Sequence, residues 1–147
     1  MITLAEGFVL LELGVHQLHG TRWWLTLDDY RFRIVKHGVT HEILVPAGYR
    51  YDRSTIPWEL LISKDQLGCK GALVHDFLYG CKGVVPTRSV AELTPSTELG
   101  TGWCYPWTVF TREEADELFR VVMLADNVLP WRAWAAWATV RIIARRW

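Results

Sequence analysis

The apolar residues of this chain change period once, and that change constrains the fold more than any other feature. Between residues 7 and 51 they recur at spacing two. Tyr30-Arg31-Phe32-Arg33-Ile34-Val35 thus sets Tyr30, Phe32 and Ile34 on one face of a strand. From Gly71 onward the spacing is helical, and Ala72, His75, Asp76 and Tyr79 follow it. Strands first and helices after predict an α+β fold: an N-terminal antiparallel meander followed by three packed helices.

Within the meander, the apolar run Phe8 to Leu13 stops at Gly14, and the strand Thr21 to Leu27 runs into an Asp28-Asp29 turn. His37-Gly38 turns Tyr30–Val35 into His41–Val45, which Pro46 ends. An irregular stretch follows from Pro46 to Trp58. The first helix, from Gly71, carries the pair His75-Asp76 and has Gly80 as its C′ residue. Residues 81–110 hold three Gly and three Pro and read as one long loop. Thr111-Arg112-Glu113-Glu114 is a capping box opening a second helix through Met123, with Ala115, Leu118, Phe119 and Val122 inward. Asn127 to Pro130 break the chain before a third helix over 131–146.

A length of 147 residues suits one domain spanning 1–147. Sixteen basic and sixteen acidic side chains leave no net field to attract phosphates, so nucleic acid is not an expected partner. Half the residues are hydrophobic, which excludes disorder. Neutrality hides an uneven end, however. Of nine Trp, Trp131, Trp134, Trp137 and Trp147 fall after residue 130, beside Arg132, Arg141, Arg145 and Arg146 and with no acidic residue. Trp134, Trp137, Arg141 and Ala144 form one helical stripe, with Trp131, Ala135 and Ala138 beside it. Most of these should pack on the His-Asp helix, although Trp with Arg is also what an interfacial helix presents to anionic lipid.

Cys69, Cys81 and Cys104 form neither a disulfide framework nor a CxxC pair, so reduced thiols are expected, with a Cys81–Cys104 bridge open in an oxidising space. The first residues carry no basic segment ahead of an apolar run, so no signal peptide is expected. The apolar segment Trp131–Ile143 is too short for a bilayer span.

Four side chains carry candidate chemistry: Asp52, His75, Asp76 and Asp116. His75 and Tyr79 are four apart and share a helix face, while Asp76 points about 100° away. Asp116 flanks the apolar face of the second helix and needs a partner there. A His75–Asp116 pair across two packed helices satisfies both. Such a pair is either a working dyad or a satisfied core histidine, and the spacing leaves both open.

Three ordered segments carry a resemblance: Val45-Pro46-Ala47-Gly48-Tyr49-Arg50-Tyr51-Asp52-Arg53-Ser54-Thr55-Ile56-Pro57, then Ala72-Leu73-Val74-His75-Asp76-Phe77-Leu78-Tyr79, then Thr111 to Phe119. Together they resemble the phage and prophage domain of unknown function 1353, over about residues 23–143. The chain departs from that pattern at Tyr51 and Thr55 and in its long 81–110 segment. The resemblance implies a bacteriophage or prophage origin, and with it host cytoplasm or virion as location and other phage proteins as partners. It names no activity.

The His75-Asp76-x-x-Tyr79 helix with Asp116 is also similar to the core of prokaryotic phospholipases A2. Carried over, that resemblance makes His75 the general base, with Asp116 orienting it and Tyr79 bracing the pair. Asp52 and Asp76 become ligands of Ca²⁺, and the implied activity is calcium-dependent ester hydrolysis on phospholipid at a membrane surface. The chain lacks the cysteines that flank this helix in those enzymes. The competing expectation is a non-catalytic virion or assembly protein in which His75–Asp116 is structural.

Overall fold

A computed structural model of the chain describes residues 1–20, 23–52, 69–89 and 107–143. Within these, eight strands and three helices follow in the order β1 (Ile2–Leu4), β2 (Val15–Gln17), β3 (Trp23–Thr26), β4 (Tyr30–Lys36), β5 (Val39–Val45), β6 (Arg50–Asp52), α1 (Cys69–Gly80), β7 (Val84–Ser89), β8 (Trp107–Val109), α2 (Arg112–Ala125) and α3 (Pro130–Ile143). The fold is α+β as the change of period predicts.

The expected N-terminal antiparallel region is present and divides into two sheets. One has the order β1-β4-β5-β7-β8, the other β2-β3-β6. β4 and β5 form the hairpin read from the sequence, with Phe32 opposite Ile43 and Lys36 opposite Val39. His37 (φ 51) and Gly38 (φ 76) both take positive φ, as a two-residue turn matched to strand twist requires. Alternation buries Tyr30, Phe32, Ile34 and also Lys36. Lys36 is accommodated because its Nζ donates to the Val109 carbonyl and to Glu114 and lies over the Phe110 ring.

Three boundaries differ from expectation. Residues 8–13 form no strand; the chain pairs on either side of them, as β1 and β2. Residues 81–110 are not one loop, since β7 pairs with both β5 and β8, Val85 being opposite Thr108. Pro86 and the glycines mask these strands in the sequence, and their pairing is with distant segments rather than with each other's local pattern. Gly80 ends α1 within the helix, and the positive φ expected of a C′ residue occurs instead at Lys82 and Gly83.

The main core joins the sheets to α1 and α2 through Phe32, Ile43, Leu73, Leu78 and Leu118. A second cluster of Phe119, Met123, Val128, Ala133, Ala136 and Val140 seals α3 against α2. Trp131 and Trp134 therefore do not make the expected packing on the His75 helix. Small residues fill the interface of α3 with α2, while these two face outward at 59% and 63% exposure and Trp137 is half-buried. Among the described residues no helix is long and apolar enough to cross a membrane.

Candidate functional site

The site lies where α1 crosses α2. Gly71 permits the approach: a Cβ there would meet Met123 Cγ at 2.9 Å and the Phe119 carbonyl oxygen at 3.2 Å. One turn later on the same side stands His75. α2 is held in place from its first residue. The Thr111 hydroxyl accepts from the Glu114 amide (3.2 Å) and the Glu114 carboxylate accepts from the Thr111 amide (2.8 Å). Glu114 also takes Lys36 of β4, which fastens the helix start to the sheet; burial pushes its carboxyl up, but Lys36 and the Thr111 amide bring it below the ordinary range. Asp116 follows one turn into α2, fully buried.

Asp116 Oδ1 collects two partners. His75 Nε2 lies 3.1 Å away, and the Tyr79 hydroxyl donates to the same oxygen at 2.7 Å. The imidazole is flanked by the Tyr79 ring (centroids 4.2 Å) and the Phe119 ring (5.2 Å), so it has little freedom to rotate. With Nε2 on Asp116, Nδ1 is turned to the Asp76 side, 3.7 Å from its Oδ1, an ion-pair rather than a hydrogen-bond distance. Tyr49 ties the same turn of α1 to the chain before β6, its hydroxyl donating to the Asp76 carbonyl at 3.1 Å.

The second oxygen, Oδ2, accepts no hydrogen bond among the described residues but faces two cations. Arg141 of α3 lies 3.5 Å from it and Arg112 of α2 lies 3.8 Å away. Arg112 Nε donates to the Tyr79 hydroxyl at 3.2 Å, and its Nη2 donates to the Arg141 carbonyl at 2.8 Å. Sequence reasoning missed both arginines. Arg112 had a signal, since it stands four residues before Asp116 on the same helix. Arg141 had none, because α3 reaches the site only through tertiary packing.

Charge follows geometry. Burial pushes the His75 imidazole down, but the hydrogen bond to Asp116 and the charges of Asp116 and Asp76 outweigh it and leave the group above its ordinary value. Burial pushes Asp116 up, and His75, Tyr79 and Arg112 outweigh that, holding the carboxyl below the usual range. Burial and the Asp116 bond both raise the Tyr79 phenol, which stays protonated and donating. The arrangement can therefore orient one imidazole, carry a proton on it, and compensate that charge.

Asp52 ends β6, its backbone paired with Trp23, and its side chain lies outside the described residues. Among the described residues no three His, Cys, Asp or Glu gather as a metal cluster. Asp76 is the carboxylate nearest Nδ1, and it supplies little of the roughly six to eight oxygens that Ca²⁺ takes. The described residues therefore do not by themselves fit the cation. Cys81 is a free thiol, raised by burial; Cys104 lies outside the described residues, as does the side chain of Cys69. A groove of about 250 Å³ opens behind the dyad, on the Arg141 side, between Ile2, Glu113, Glu117 and Trp137.

A family model described as a protein of unknown function (DUF1353) matches residues 24–140. No curated protein and no solved structure matches the chain.

Proposed function

Because the chain belongs to the DUF1353 family, whose description states no activity, we propose its function from the site: an ester hydrolase of the phospholipase A2 type, with His75 as general base. One observation carries this reading. A single oxygen of buried Asp116 takes both His75 Nε2 and the Tyr79 hydroxyl, which fixes the tautomer and leaves Nδ1 as the nitrogen that can accept a proton.

In this mechanism His75 Nδ1 removes a proton from water as the oxygen attacks the ester carbonyl. Asp116 stabilises the imidazolium, and Arg112 and Arg141 compensate the carboxylate from the other side. The imidazolium then returns its proton to the departing alkoxide, so acid and alcohol leave with the base regenerated. Calcium, with Asp76 and Asp52 as the carboxylates that would hold it, is a separate proposal, and the proton transfers of His75 need none of its chemistry. The resemblance of the three motifs to phage proteins supports a bacteriophage or prophage origin.

A second reading is favoured by one observation: His75 is 3% exposed and Asp116 0%. On that reading the pair is a structural joint in a virion or assembly protein. Purified protein on mixed phosphatidylcholine–phosphatidylglycerol vesicles, with and without Ca²⁺, separates the two. The hydrolase reading expects fatty-acid release that His75→Ala lowers by about 10²-fold or more. No release, or release unchanged in His75→Ala, sinks it, and copurification with phage particles would then support the structural reading.

A further inference from the structure

The helix α3 is apolar on both sides. Its inner side, Ala133, Ala136 and Val140, is buried against α2. Its outer side carries Trp131, Trp134, Ala138 and Ile142, spaced three, four and four residues apart and therefore on one stripe. Three of them are large and uncovered: Trp131 is 59% exposed, Trp134 63% and Ile142 64%. A surface helix with a second apolar stripe opposite its buried one calls for a second apolar neighbour.

Charge selects the neighbour. From residue 127 to the end the sequence holds no Asp or Glu, and of its four arginines Arg141 already faces Asp116, which leaves Arg132 as the cation of the described part of α3 for an outside partner. Arg132 sits over the Trp131 ring, 5.2 Å from its centroid; its Nε is buried with no acceptor among the described residues, so the terminal nitrogens of the guanidinium are the ones that can reach a phosphate. Area argues against a second copy of the chain. Trp131, Trp134 and Ile142 together expose roughly 400 Å² of accessible surface, about half of the roughly 800 Å² that each partner of a stable protein pair buries. A lipid surface needs no such area, because aromatic anchors and cations act there one by one.

We infer that the outer face of α3 docks on an anionic phospholipid bilayer, with Trp131, Trp134 and Ile142 entering the interface and Arg132 meeting lipid phosphate. The helix lies along the surface rather than across it. The inference deepens the ester-hydrolase reading and rests on it for why a bilayer is sought. Docking is measured as binding without turnover, so either can fail while the other stands.

The test is cosedimentation of the full chain with sucrose-loaded vesicles of phosphatidylcholine alone or with phosphatidylglycerol, at low and high salt. Binding is expected to the anionic vesicles and to weaken with salt. Trp134→Ala should weaken it about tenfold or more, and Arg132→Gln about fivefold. Both side chains lie outside the core, and circular dichroism checks that the variants fold. Failure to bind anionic vesicles overturns the inference, as does binding unchanged by Trp134→Ala. Light scattering that shows a dimer which Trp134→Ala converts to monomer also overturns it, in favour of a second copy.

Discussion

Asp116→Asn is the perturbation that reads the site most directly. It keeps the shape of the side chain and removes its charge. In the wild-type protein Asp116 accepts from His75 Nε2 at 3.1 Å and from Tyr79 at 2.7 Å, both to one oxygen. Hydrogen bonds to a charged group are worth about 1.5–3 kcal/mol each. The amide oxygen can retain Tyr79 as a neutral bond of about 1 kcal/mol, so the charge-assisted part lost is about 2–5 kcal/mol. Arg112 and Arg141 remain partly exposed and can turn to water, which keeps the cost toward the lower end of that range, unlike the roughly 3–5 kcal/mol of a sealed, orphaned ion pair.

The pH dependence gives this prediction its sign. His75 is raised in the folded state, so its contribution is fully present below its unfolded value of about 6.5 and fades as pH rises through the folded value. Asp116 is lowered, so its contribution is present above about 3.9 and fades as pH falls through the folded value. The two describe one ion pair, strongest between roughly pH 4 and 6.5. Urea unfolding of wild type and Asp116→Asn should therefore differ most near pH 5.5 and least near pH 9. Equal differences at both pH values would refute the reasoning, as would a His75 titration, followed by NMR, that does not move down in the variant.

Two further outcomes follow from the same geometry. If the protein hydrolyses esters, activity should rise with pH through a midpoint above about 6.5, because Nδ1 must be unprotonated to act, and an unaltered midpoint in any active Asp116→Asn enzyme would count against His75 as the base. Gly71→Ala should cost about 1 kcal/mol in urea unfolding, the net of about 1–3 for overpacking against the Phe119 carbonyl and about 1 gained in helix propensity; a more stable variant would show that the α1–α2 contact is looser than 3.2 Å implies.

Much of the site was legible because it rests on local chemistry. The capping box declares the start of α2, and the helical spacing of His75 and Tyr79 declares their common face. Even the long-range pair was readable in kind, since an acidic residue beside an apolar stripe cannot be buried alone. The arginines that converge on Asp116 Oδ2 were not, because one of them arrives from a helix whose position no local pattern records. The strands β7 and β8 escaped for a related reason. Their stability comes from pairing with β5 and with each other across a long stretch of chain, while Pro86 speaks locally against a strand.

The third helix marks the division most clearly. Its existence follows from the break at Asn127–Pro130 and the apolar run after it, both written in the chain. Which side turns inward does not follow, because a helix with two opposite apolar stripes has no preferred one in water. Tertiary packing decided it: the close approach to Phe119 and Met123 admits Ala133, Ala136 and Val140 and leaves the larger Trp131 and Trp134 outside. Composition set how many tryptophans there are, and the room left between two helices set which of them meet the solvent.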